Sequence, residues 1–172
     1  STLLPYTPLF RSLFAAESIN ALERRYLARV QDLKKTLGTP PDAGMLRAIV
    51  TEYRTLSRLF AASPVLASFY LDEARGFFLE HRKILVDPEL DIAAYLEILL
   101  EKRMIGAAQK LLASALARWP DSRRLRFVSA KLAFVMKKPR DVIRELERLD
   151  ATGPDDAYDD MQIFWTGGAC HD

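Results

Sequence analysis

Proline placement constrains this chain more than any other feature. Proline lacks a backbone N–H and its ring clashes with the preceding turn, so it is tolerated in the first turn of a helix and breaks the interior. Thr7-Pro8, Ser63-Pro64 and Asp87-Pro88 each read as a capping residue followed by a first-turn proline, which predicts three helix starts. Between the prolines, apolar residues recur at the three-and-four spacing of a helix face. The stripes are Ile19, Leu22, Tyr26, Val30, Leu33 and Leu37; Leu46, Ile49, Tyr53, Leu56 and Phe60; and Leu66, Phe69, Tyr70, Ala74, Phe77 and Phe78. They continue as Ile92, Tyr95, Leu96 and Leu99, then Ala108, Leu111, Leu112 and Ala115, then Leu125, Val128, Leu132 and Val135, and finally Val142, Leu146 and Leu149. Gly38 is the expected C-terminal cap of the first stripe, and Asp42 the expected N-cap of the next helix. No stretch alternates with period two as a half-buried strand does, so the chain is expected to be all-α.

Two of these helical stretches, "AQKLLASALARWPD" and "RELERLDATGPD", stop at a Pro-Asp pair, and Pro120 and Pro154 lie 34 positions apart. Such a period marks stacked two-helix units that cannot bury their apolar faces alone. Laying residues 89–122 over 123–156 puts Ala108, Leu112, Ala115 and Pro120 opposite Val142, Leu146, Leu149 and Pro154. This small, large, small, proline pattern resembles the tetratricopeptide repeat. The pattern departs from the family at Arg126, where a large apolar residue is the rule and Leu125 takes the role.

The resemblance implies antiparallel helical hairpins stacked as a short α-solenoid within one helical domain, 1–172. Residues 1–41 form an N-terminal helical cap, 42–87 a hairpin with the features of a degenerate repeat, and 88–122 and 123–156 the two repeats. Residues 157–172 are expected to be a short helix and a mobile tail. In this family partner peptides lie along a concave groove lined by the first helices. Carried over by position, the groove residues are Leu90, Ala93, Glu97, Leu100 and Glu101 in one unit, and Arg124, Phe127, Lys131 and Phe134 in the next. The family's lysine and asparagine clamp for C-terminal carboxylates is not recognisable, since the chain's one asparagine is Asn20.

A second candidate surface is basic. Arg118, Arg123, Arg124, Arg126, Lys137, Lys138 and Arg140 fall within "RWPDSRRLR" and "KKPR", offset by Asp121 and Asp141. It supports an alternative reading, a helical subunit that docks a basic patch on nucleic acid or anionic membrane phosphates. Against nucleic acid stands the overall balance, 25 basic and 23 acidic residues for a formal charge of +2. The Ser18–Leu37 helix, with its narrow apolar stripe, offers a route to a homo-oligomer, although packing on the helix after Asp42 competes with it.

No cofactor, metal site or catalytic residue is expected. His81 sits on an amphipathic helix, and Cys170, His171 and Asp172 adjoin only in sequence, whereas catalysis and metal binding need groups held in place. The Gly-rich phosphate loop, the HExxH helix and the GxSxG elbow do not occur. The single cysteine precludes an intrachain disulfide and fits a reducing compartment. "AAYLEILL" is among the longest apolar runs, far short of a bilayer span. "STLLPYTPLF" lacks a basic region before an apolar one, so no signal peptide is expected. The expected protein is a cytoplasmic, non-enzymatic interaction scaffold, alone or as part of a membrane-anchored parent. The use of such repeats elsewhere extends this to the soluble part of a bacterial secretion or polysaccharide-export assembly.

Overall fold

The computed structural model describes residues 8–150, with side chains from residue 18 onward. Pro154, the 157–172 segment and the Cys170 to Asp172 tail lie outside them. The described residues form seven α-helices and no strand: α1 (Pro8–Lys35), α2 (Ala43–Leu59), α3 (Pro64–Glu80), α4 (Ala93–Glu101), α5 (Ile105–Arg118), α6 (Arg123–Val135) and α7 (Pro139–Asp150). A π-helical turn, Pro88–Ile92, leads into α4. All three proline starts expected from sequence are helix starts. The chain divides into two compact units, one ending at Leu85 and the other beginning at Val86.

In the first unit α2 packs against both α1 and α3. Its stripe is the core: Leu46, Ile49 and Leu56 are wholly buried, and Tyr53 nearly so. The Asp42 carboxylate caps α2 by accepting from the Met45 N–H at 2.9 Å, and the missing side chain of Gly44 leaves it room, since a Cβ there would lie 2.9 Å from an Asp42 oxygen. α1 ends sooner than its stripe suggests. The Thr36 hydroxyl donates to the carbonyls of Asp32 and Leu33 at 3.1 and 3.0 Å, closing the helix before Gly38 is reached. α3 buries Tyr70, Leu71, Ala74, Phe77 and Phe78, while Leu66 and Phe69 from the expected stripe stay exposed. Phe69 lies on the helix side that carries Glu73, Gly76 and Glu80, away from the buried set. The ends of the unit are tied by polar contacts: Arg29 pairs with Glu52 at 3.0 Å, and the Tyr70 hydroxyl donates to Glu23.

The second unit repeats a piece of backbone geometry. Two residues beyond the ends of α4 and α6 stand Arg103 and Lys137, both with φ of 57°. At the first end, Arg103 N–H donates to the Leu100 carbonyl and Met104 N–H to the Leu99 carbonyl; at the second, Lys137 donates to Phe134 and Lys138 to Ala133. Both are Schellman caps, which satisfy carbonyls the helix leaves without partners. The caps lie 34 residues apart, as do the starts of α5 and α7 at Ile105 and Pro139.

The helix starts differ by one residue more. Asp87 and Ser122 cap the two first helices, and they are 35 apart. The π turn absorbs the surplus, because an i→i+5 ring holds one residue more than an α-helical one. Asp87 stabilises it, accepting from the Glu89 and Leu90 N–H groups at 2.8 Å each, while buried Asp91 accepts from the Asp87 N–H at 2.9 Å. Nothing in the sequence pattern announces this turn, since Asp87-Pro88 opens an α-helix and a π turn alike.

The core of this unit gathers Ala93, Leu96, Leu99 and Leu100 of α4, Ala108, Leu112 and Ala115 of α5, and Leu125, Val128 and Leu132 of α6. Small Ala108 and Ala115 let α5 approach its neighbours closely, and burying each leucine contributes roughly 2 kcal/mol. Val142 and Leu149 bury the matching face of α7, which packs on α6.

Two predictions follow from these ends and ties. A left-handed residue other than glycine is strained, so Arg103→Gly and Lys137→Gly are each expected to raise stability by about 0.5–1 kcal/mol in urea unfolding, and Arg103→Val to lower it. Burial first, then the hydrogen bond to Glu23 and its charge, push the Tyr70 hydroxyl above its ordinary value. A raised folded value adds stability that is complete below the unfolded value of about 10 and is lost as pH climbs beyond it. Alkaline unfolding of the wild type should therefore steepen above that pH, and Tyr70→Phe should flatten the slope; equal slopes would exclude the coupling.

Candidate binding surface

Helical spacing puts Ala93, Glu97 and Leu100 on one side of α4, and Arg124, Phe127, Lys131 and Phe134 on one side of α6. The two helices pack side by side in register. At the start, Glu89 accepts from the Arg124 backbone N–H at 3.0 Å, an acid placed on the positive end of α6. In the middle, Glu97 accepts from the Lys131 ammonium at 3.0 Å and pairs with the Arg124 guanidinium at 3.6 Å. The same two cations lie over the Phe127 ring, Lys131 at 4.6 Å and Arg124 at 6.0 Å from its centroid.

This arrangement is closed on itself. Glu97 is only 6% exposed and Phe127 8%. A carboxylate so buried is costly unless cations meet it, and two do. Burying the carboxylate strengthens the pairs and commits Lys131 and Arg124 to it.

The groove residues expected from sequence accordingly divide. Ala93 and Leu100 belong to the core cluster, and Glu97 and Phe127 are buried in the α4–α6 network, so four of the nine present no open surface. Arg124 and Lys131 are half-buried. Leu90, Glu101 and Phe134 are exposed, but they stand at the ends of the helices rather than in a line. Position in the family's pattern puts Glu97 in the groove and carries no information about the cations that bury it.

The seven expected basic residues divide as well. Arg118, Arg123, Arg124 and Arg126 lie around the α5–α6 turn, and Lys137, Lys138 and Arg140 at the α6–α7 turn. Thirteen-residue α6 separates the groups, by roughly 20 Å. Arg126 is engaged by Glu145 at 3.5 Å and by the Pro120 carbonyl at 3.1 Å, Arg118 lies over the Trp119 ring, and Arg123 is half-buried. The Glu145 carboxylate is buried and gathers Arg148 as well, at 3.0 Å. Sequence neighbourhood joined what the helix separates. It also missed Arg103, 34 residues before Lys137 at the matching cap, and Lys110 in the second turn of α5.

His81 closes α3 with its ring 4.6 Å from that of Phe77. Among the described residues no group of histidine, cysteine, aspartate or glutamate has the arrangement to hold a metal ion, and no helix is long and apolar enough to cross a membrane. α1, which carries the stripe considered for self-association, packs on α2 through buried Val30.

Removing one partner of a buried pair strands the other. Lys131→Met is expected to cost about 1–3 kcal/mol, while Glu97→Leu/Lys131→Met should cost less than the sum of its single changes. Additive free energies in that cycle would show that the Glu97 pair does not hold α4 to α6.

No family model, curated protein or solved structure matches this chain.

Proposed function

We propose that this chain is a non-enzymatic interaction scaffold of the tetratricopeptide-like kind, a short α-solenoid acting in the cytoplasm and holding a partner peptide or helix on the face of α4 and α6. The observation that carries the reading is the recurrence of cap geometry at Arg103 and Lys137 with the period that the Pro-Asp pairs set in the sequence. The packing of α4 on α6, α5 on α6 and α6 on α7 gives it further support, since stacked hairpins make those neighbours. A repeat array has no pocket of its own and binds along its helices.

On that face Phe134 and Leu90 are 53% and 57% exposed, and Arg124 and Lys131 are half-buried. They suit a segment with an apolar anchor and an acidic neighbour. Phe127 serves the fold first, so its truncation would report stability rather than binding.

A photo-crosslinking amino acid placed at Phe134, at Leu90 or, as a control, at Val65 of the first unit tests this in cells. The reading expects a discrete protein adduct from Phe134 and Leu90 and none from Val65. No adduct at either face position, or the same adducts from all three, would overturn it.

A further inference from the structure

The contacts between α4, α5 and α6 fix which loops share an end. Glu89 meets Arg124, and Glu97 meets Lys131, so α4 and α6 run parallel and their C-terminal corners lie on the same side. The Gln109 amide donates to the Met136 sulfur at 3.3 Å, bringing the start of α5 to the end of α6. Met104 and Met136, each next to a left-handed corner residue, pack against the same core. Neighbouring helix axes are about 8–10 Å apart, which sets the spacing of the corners.

This end carries a concentration of charge. Arg103, Lys110, Lys137, Lys138 and Arg140 are all exposed, and none has an ion pair with an acid among the described residues. The acids nearby are committed: Asp141 is held by Arg144 at 2.9 Å, and Glu101 already has a partner. Two exposed apolar side chains flank the second corner, Phe134 three residues before it at 53% exposure and Ile143 in the second turn of α7 at 56%. Moreover, both corners adopt a conformation that favours glycine, yet each places a cation there.

We propose that this end of the second unit docks on an anionic lipid surface, with the five cations at the headgroups and Phe134 and Ile143 entering the interface. Cations around exposed apolar groups suit a bilayer boundary, where charge and burial both contribute. A nucleic-acid backbone would use the cations and leave the apolar pair in water. Projecting corners also fit a flat surface better than they enclose a peptide. The inference rests on the packing of the second unit; it shares Phe134 with the scaffold reading, whereas its cations and Ile143 play no part in that reading.

Co-sedimentation of the full chain with phosphatidylcholine vesicles, with and without about one third phosphatidylserine, tests it. Binding is expected only to the anionic vesicles and should weaken as salt rises. Arg103→Gly/Lys137→Gly removes two cations from corners where glycine relieves strain, so the variant should fold at least as stably yet bind roughly 25-fold more weakly, about fivefold for each cation. Ile143→Ser should weaken it further. Equal binding to neutral vesicles, no binding to either kind, or undiminished binding by the glycine variant would overturn the proposal. So would binding of duplex DNA or polyglutamate as tight as that of the anionic vesicles and indifferent to Ile143→Ser, which would assign the end to nucleic acid or to an acidic protein.

Discussion

The register of α4 against α6 is the constraint from which the rest of the second unit follows. Glu89 and Arg124 are 35 residues apart where they meet, whereas Glu97 and Lys131 are 34 apart. The difference is the one residue taken up in the π turn. Without that turn, every position after it would rotate by about 100°, and Ala93, Leu96 and Leu100 would swing out of the core. Asp87 and Asp91 therefore do more than end a helix: their bonds to backbone N–H groups hold the one-residue widening that brings the two first helices into phase.

Among the described residues, buried glutamates join three of the helix pairs. Glu52 joins α2 to Arg29 of α1, Glu97 joins α4 to α6, and Glu145 joins α7 to Arg126 of α6. A buried ion pair adds little net stability over an apolar pair of the same volume, because desolvation offsets attraction. Its effect is on alternatives. A slip that leaves the leucines in contact with other leucines costs little, but one that leaves Glu97 buried without Lys131 costs about 1–3 kcal/mol. We infer that these carboxylates select the register that the alanine- and leucine-rich faces leave loosely defined.

Much of the helical framework was legible in the sequence because its signals are local. Proline at Pro8, Pro64 and Pro88, the capping aspartate Asp42 and the stripe of Leu46, Ile49, Tyr53 and Leu56 each act within one or two turns, and each element stands where these residues put it. The corners were not legible, since Arg103 and Lys137 occupy the left-handed conformation with side chains that give no hint of it. The surface was legible only in part. Glu97 is buried against Arg124 and Lys131, 27 and 34 positions away, and no local rule predicts a long-range partner. Likewise the basic stretches "RWPDSRRLR" and "KKPR" are close in sequence, but α6 carries them to opposite ends.

These misplacements share a physical origin. In so small a unit, the sides of α4 and α6 that face each other must serve as core, because the four helices have little other apolar surface to exchange. Side chains with volume or complementary charge near that seam are drawn into it, as Phe127, Glu97 and Leu100 are. What remains outside collects where packing cannot reach, at the turns that join one helix to the next. Cations there cost the core nothing, and a left-handed backbone with a bulky side chain costs only about 1 kcal/mol. Charge at the turns can therefore change without disturbing the register of the helices, whereas any change along the seam alters both surface and fold.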